Sequence, residues 1–255
     1  MKLPVLFAAL LFSAQLFAQA PLASEVYVLN KSPETKTKTG TRKEILSGSG
    51  AILTKQTITL LKIEKGKTIH YKPAPNGDEL FFIIKNGPVT VQLNQQHTQL
   101  DRGSVVLVLP GDTVSMENTG NTDAQVYEMH YRSIAQPDAD RGSKAGTSFM
   151  MNWNDMVFKP HNKGGVRQLF DRQTTMFNRF DIHVTQLNQG WKSHDPHTHK
   201  NEEIILMLDG NAEMQIGSEH QKANPGDVVW LGSNVLHNLS NVGTTPCLYF
   251  AIQWN

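Results

Sequence analysis

Hydrophobic and polar residues are not arranged with helical periodicity along most of this chain. They fall into short runs rich in Val, Ile, Leu, Phe and Thr, among them "QTITLLKI", "ELFFIIK", "PVTVQL" and "SVVLVL". Such β-branched and aromatic runs fit a pleated, partly buried surface. Between them stand turn-forming clusters, "PNGD", "KNGP" and "LPGD", whose Gly, Pro, Asn and Asp residues stop a strand and reverse the chain. Many short strands at regular spacing predict an all-β protein, either a sandwich or a barrel.

The pattern occurs twice. A shift of 124 residues brings Gly66 onto Gly190, Glu79 onto Glu203, and Ile45 and Leu46 onto Leu169 and Phe170. "ELFFIIKNG" then matches "EIILMLDG" with one extra residue, and "GSVVLVLPGDTVSMENTGN" matches "GDVVWLGSNVLHNLSNVGT". An internal duplication of this kind predicts two β-domains of one design. Residues 134–149, "IAQPDADRGSKAGTSF", have loop composition and are read as the linker. The expected domains are therefore residues 21–133 and 150–255.

The first twenty residues differ. "MKLPVLFAALLFSAQLFAQA" has one Lys, an apolar core and small residues at its end, the pattern of a secretory signal peptide over residues 1–20. Cleavage is expected after Ala18 or Ala20. Pro21 disfavours the second site, and the apolar core is short for a bilayer span. A periplasmic or secreted protein follows, with no membrane contact once the segment is removed. Loss of Lys2 with it takes the formal charge from +1 to zero. No basic run suggests nucleic acid. Cys247 is the only cysteine, so no intrachain disulfide forms, and its apolar setting "CLYFAI" points to an inert buried thiol.

Candidate chemistry concentrates in "GWKSHDPHTHKNEEIILMLDG", residues 190–210. His197 and His199 are two apart, so on a strand they share a face. Glu203 follows, and His237 lies in a second strand-turn-strand segment that can come alongside. Imidazoles with one carboxylate form a ligand set for Fe, Mn, Zn, Ni or Cu. Glu202 is expected to point the other way, into solvent. His194, in the loop before the ligands, is a weak candidate for an acid/base at the mouth. In "NRFDIHVTQL", Arg179, Asp181, His183 and Thr185 share one face. If that face lines the barrel, Arg179 and His183 become substrate contacts; the reading leans to their being solvated. Trp230, Tyr249, Gln253 and Gln215 are further candidates for a pocket wall.

These residues carry a resemblance. Gly190, His197, His199, Glu203 and Gly210 resemble the first motif of the cupins, and Gly226, His237 and Asn241 resemble the second. There is one extra residue between Gly190 and His197, and Gly232 and Asn234 stand where the family usually has Pro and Gly; these departures affect turns rather than ligation. The resemblance covers both repeats and implies a bicupin: two tandem jelly-roll barrels, with one divalent transition metal held in the second by His197, His199, Glu203 and His237. In the first repeat Pro73, Pro75 and Val114 replace the histidines while Glu79 remains. That barrel is expected to be metal-free, a scaffold and a surface for homodimer pairing.

The resemblance does not choose a reaction. A metalloenzyme acting on a small sugar acid, carboxylate or phenolic is the leading expectation, as a lyase, isomerase or dioxygenase. The alternative is a non-catalytic sugar or carboxylate binder in which the metal is structural or absent.

Overall fold

The computed structural model describes residues 19–255, so residues 1–18 of the expected signal peptide lie outside the described residues. Each repeat folds into a large sheet closed over a smaller one, and no helix among the described residues is long and apolar enough to cross a membrane. The first seven-stranded sheet runs in the order Phe149–Met151, Val105–Val108, Glu79–Asn86, Ala124–Ser133, Leu53–Ile63, Gly40–Gly48, Glu34–Lys36. The second runs Glu25–Tyr27, Val228–Leu231, Glu202–Asp209, Cys247–Trp254, Phe180–Leu187, Gly164–Arg172, Lys159–His161. A four-stranded sheet faces the first and a three-stranded sheet, Ala212–Ile216 between Glu219–Ala223 and His237–Asn241, faces the second.

Two strands cross the boundaries read from the sequence. Glu25–Tyr27 pairs with Val228–Leu231 of the second sheet, and Phe149–Met151 pairs with Val105–Val108 of the first. The exchange is reciprocal and follows the duplication, since Glu25 and Phe149 are themselves 124 apart. Each borrowed strand covers an edge that would otherwise expose unpaired N–H and C=O groups. The linker, read as loop, holds a short helix, Ala139–Ala145, capped by the Asp138 side chain. Arg141 of that helix donates to the carbonyl oxygens of Thr174 and Thr175, fastening it to the second barrel.

The near-continuous apolar runs have a simple cause: both faces of the large sheets are buried. Leu80, Phe82 and Ile84 point into the first barrel, and Ile205 and Met207 into the second. Phe81, Ile83, Ile204, Leu206 and Leu208 point the other way, into one shared core where the two large sheets pack face to face. Aromatic residues occupy the middle of that core. Tyr131 stacks on Phe177 at 5.0 Å, Phe177 on Trp254 at 5.7 Å, and Trp254 lies 5.4 Å from Trp230. Cys247 is fully buried on the inner face of the second barrel, and burial pushes its thiol up to about 11, as an inert cysteine requires.

Glu202 does not reach solvent. It is 4% exposed and sits between the barrels, accepting from the Ala51 amide at 2.6 Å and the Trp254 indole at 3.3 Å. Its face of the strand, unlike that of an ordinary outer sheet, is covered by the other barrel. Glu79 occupies the matching place in the first repeat. Glu202 is paired in its ladder with Trp254, and Glu79 with Tyr131. Glu79 is therefore the counterpart of Glu202, and the counterpart of Glu203 is Leu80. The single-residue offset arises because the extra residue of the first repeat lies before the strand, not within it.

A buried asparagine braces each barrel. Asn241 donates to the carbonyls of Leu187 and Thr245 and accepts from the Gly243 amide; Asn118 does the same with Ile63, Thr122 and Gly120. Asn241→Ala leaves buried polar groups unpaired and is expected to destabilise the protein by roughly 2–3 kcal/mol, read from urea unfolding. The matched Gly66 and Gly190 both take positive φ, +71° and +74°, at the turns that enter the corresponding segments.

Candidate functional site

The stretch bearing the clustered histidines is not a regular strand. Where the first barrel has the strand Thr68–Tyr71, the second has a loop held by two isolated bridges, Lys192 to Ser240 and His197 to His237. The sequence "HDPHTHK" explains the difference: Pro196 cannot donate to a ladder, and the segment contains no apolar residue. The bridge still sets His197 beside His237. The Nδ1/Nε2 ligand atoms of His197, His199 and His237 all lie within 4.8 Å of one another. Ring centroids are 4.7 Å apart for His197 and His237 and 4.8 Å for His199 and His237.

Glu203 reaches two of the three. Its Oε2 is 3.2 Å from His199 Nε2 and 3.3 Å from His237 Nε2, and its Oε1 accepts from Gln253 Nε2 at 3.2 Å. The carboxylate is buried, which alone would raise its pKa; His199 and His237 overcome this and hold it at about 2. The same pairing raises His199, while burial and the neighbouring imidazoles of His194, His237 and His199 lower His197.

The outer nitrogens of His199 and His237 are already engaged. His237 Nδ1 lies 2.8 Å from the Val235 carbonyl and His199 Nδ1 lies 2.9 Å from the Asn201 carbonyl. Only an N–H can satisfy a carbonyl, so each Nδ1 donates outward and each Nε2 faces Glu203, where it either shares a proton with the carboxylate, as His199 does, or offers its lone pair to a metal. His237 Nε2 is buried and, despite its 3.3 Å approach to the carboxylate, makes no hydrogen bond of acceptable geometry. Lone pairs from imidazole and carboxylate converging on one point call for a cation between them. The residues present therefore fit a divalent metal.

The cluster stands at one end of a cavity of about 340 Å³. Of the sequence candidates, His183, Thr185, His194, Tyr249 and Gln253 line it. The polar face of Phe180–Leu187 is thus the cavity face, contrary to the solvated reading. Ile182 and Val184 pack into the core between the barrels, leaving the opposite face for His183 and Thr185. Arg179 is elsewhere: it precedes the strand and forms a bidentate pair with Asp171 at 2.8 Å and a contact to Asp181 at 3.1 Å. Trp230 is buried in the inter-barrel core, and Gln215 donates to its neighbour Gly217. His161 and Ser193 also line the cavity and were not singled out in the sequence, since a lone histidine on a short edge strand has no distinguishing spacing. Burial keeps the Tyr249 hydroxyl protonated, so it can donate into the cavity.

The first barrel places other groups at these positions. Val114 faces Tyr71 in the ladder where His237 faces His197, and Leu80 replaces Glu203. Tyr71, rather than the Pro73 of a fixed shift, is the counterpart of His197, because the second barrel's loop is two residues longer.

Comparison with known proteins agrees with this architecture. Residues 183–253 match the family described as the cupin domain. Among curated proteins none matches the chain in sequence. Solved structures share its fold across both barrels. Oxalate decarboxylase from Lactobacillus farciminis, in a formate complex, superposes with a TM-score of 0.71 at 10% identity, covering 92% of this chain and 87% of that one. The protein Ylba from E. coli does so at 0.67 and 13%, covering 89% of each. A putative glyoxylate-induced protein from Pseudomonas aeruginosa gives 0.67 and 15%, covering 87% and 84%. Residues 183–253 of the second barrel thus match the cupin domain, and the duplicated jelly-roll fold of the whole chain is the one these solved structures share.

Proposed function

We propose that this protein is an exported metalloenzyme that binds one divalent transition metal through His197, His199, His237 and Glu203 and acts on a small oxygen-rich molecule, a carboxylate above all. The observation that carries the reading is the gathering of three imidazole ligand atoms within 4.8 Å of one another, two of them facing the Glu203 carboxylate, with the buried His237 Nε2 otherwise unpartnered. A bound metal of this kind supplies Lewis-acid polarisation of a substrate oxygen, or oxygen activation if it is iron.

The chain's own residues do the rest. Gln253 fixes the orientation of Glu203 through its second oxygen. Leu187, Ile205 and Leu239 contribute apolar wall to the cavity and limit its water. His183, His194 and His161 bring exchangeable ring protons to the cavity, and Tyr249 and Thr185 bring hydroxyls. A volume of about 340 Å³ suits a compact substrate. The similar oxalate decarboxylase, recorded with formate, and the glyoxylate-induced protein make small carboxylates the first class to screen. The apolar segment with small residues at its end, residues 1–20, supports action outside the cytoplasm.

The test is elemental analysis of the mature protein, purified without chelator or nickel resin, beside a His197→Ala/His199→Ala double variant. About one equivalent of a transition metal in the wild type and none in the variant is the expected result. Absence of metal after reconstitution would overturn the enzyme reading and leave a ligand-binding barrel.

A further inference from the structure

The first barrel has a cavity of its own. It measures about 700 Å³, inside the range of small-molecule sites, roughly 300–1,000 Å³. Its walls come from Gly40–Gly48, Leu53–Ile63, Ala124–Ser133 and Thr68–Tyr71. The strand pairings make it the counterpart of the cavity in the second barrel. Tyr71 stands where His197 stands, and His130 and Glu128 stand where Gln253 and Ala251 stand.

Packing does not explain what lines it. At the position of Glu128 the second barrel has Ala251, and the same fold closes around it. Yet Glu128 is 5% exposed, and placing a carboxylate there is costly unless it is compensated. The compensation is His130, whose Nε2 is 2.7 Å from Glu128 Oε1. His130 is raised: burial works against its charge, and its contacts with Asp78 and Glu128 outweigh that. Tyr71 meets the His130 ring edge-on at 6.0 Å. A buried, mutually supported polar cluster in a cavity, not required by the fold, is a mark of a binding site.

The ligand chemistry follows from the balance of the groups. The charges are paired: Lys55 with Asp78 at 2.7 Å, Lys62 with Asp123 at 3.3 Å, Arg42 with Glu44 at 4.0 Å, and His130 with Glu128. Asp78 is shared with Arg132 at 2.8 Å, and no unpaired charge on the wall selects an ion. The wall also carries the hydroxyls of Thr37, Thr57 and Thr68, each able to donate and accept, and that of Thr41, which donates to Glu34 and can still accept. Leu61, Ile69 and the Tyr71 ring add a small apolar surface. Many donors and acceptors, no net charge and one aromatic face match a molecule that has many hydroxyls, no charge and a C–H face. We propose that the first barrel carries a second, metal-independent site that binds a small neutral polyhydroxylated molecule, a sugar or sugar alcohol, between Tyr71, Glu128 and His130 and the threonine-lined wall.

The site can be tested on the mature full-length protein by isothermal titration with D-glucose, D-galactose, D-xylose and D-mannitol. D-Glucuronate and inorganic phosphate serve as charged probes. At least one neutral probe is expected to bind with a Kd at or below about 1 mM. Affinity should fall at least about tenfold, 1.4 kcal/mol by conversion, in Glu128→Ala, which restores the residue type of the second barrel. Thr57→Val, which keeps the shape and removes one hydroxyl, should also weaken binding and serves if Glu128→Ala does not fold. The His197→Ala/His199→Ala variant should bind as the wild type does, so the result is independent of the metal reading. Binding by no neutral probe, binding of the charged probes alone, or loss of binding in the second-barrel variant would each overturn the proposal.

Discussion

Glu79→Gln is expected to stabilise the protein at pH 8 and to change it little at pH 4. Glu79 is fully buried between the barrels. Its Oε1 accepts from the Tyr131 hydroxyl at 2.7 Å, while its Oε2 has no partner. Burial raises its pKa; the Tyr131 hydroxyl and the Thr174–Met176 turn oppose this, and the result is about 7 against an ordinary 4.5. The sign follows from linkage. A carboxyl that ionises less readily in the folded state favours folding while it is protonated. That advantage is complete below pH 4.5, is lost as pH rises from 4.5 through 7, and is gone above. The difference between about 7 and 4.5 corresponds to roughly 3 kcal/mol. Glutamine is neutral at every pH, and its carbonyl can keep the Tyr131 hydrogen bond. Denaturant unfolding of both proteins between pH 4 and pH 8 measures the effect. The wild type should lose stability relative to the variant as pH rises, and parallel curves would show that Glu79 titrates normally. Glu202, the matching residue, has a donor to each of its oxygens instead, from Ala51 and Trp254.

The contrast between those two acids shows where sequence reasoning succeeds and stops. The strands, the duplication and the histidine set could be read because each leaves a periodic or spaced trace: alternation, a constant shift, and the His197, His199, Glu203, His237 offsets. What lies between the barrels leaves none. A glutamate beside an apolar run looks alike whether its face meets water or a second sheet, so Glu202 read as solvated and Glu79 as the relic of a ligand. The same ambiguity touched His183. Its strand has one polar and one apolar face, and only the presence of another barrel against Ile182 and Val184 shows that the polar face is the inner one. The strand exchange was equally hidden, since "EVY" and "FMM" carry no information about which sheet edge they cover. Arg179, Trp230 and Gln215 were plausible by proximity in sequence, yet each is claimed by a partner outside the cavity.

Metal binding should raise the stability of the second barrel sharply, and His237→Ala should abolish the effect. His199 and His237 present Nε2 atoms to a single Glu203 oxygen at 3.2 and 3.3 Å. Something positive must stand there. Without a metal it is a proton, and Glu203 accordingly raises His199. A ligand that binds only the folded state stabilises it by about 4 kcal/mol at a thousandfold excess over its Kd. For a protein of this size that is a rise in Tm of roughly 10 °C. His237→Ala removes the most deeply buried of the three imidazoles and leaves the more exposed His197 beside a pair, His199 and Glu203, that a proton already satisfies. The direction of the pH dependence follows from that competition. Below the raised pKa of His199 the metal must displace a proton, so the increment in Tm should grow as pH is raised from 6 to 8. Thermal scans of stripped wild type and His237→Ala, each with and without added Zn²⁺ or Mn²⁺ at the two pH values, give the answer. An equal shift in both proteins would place the metal elsewhere, and a wild-type shift larger at pH 6 than at pH 8 would mean that the cation between the histidines and Glu203 is not competing with a proton at all.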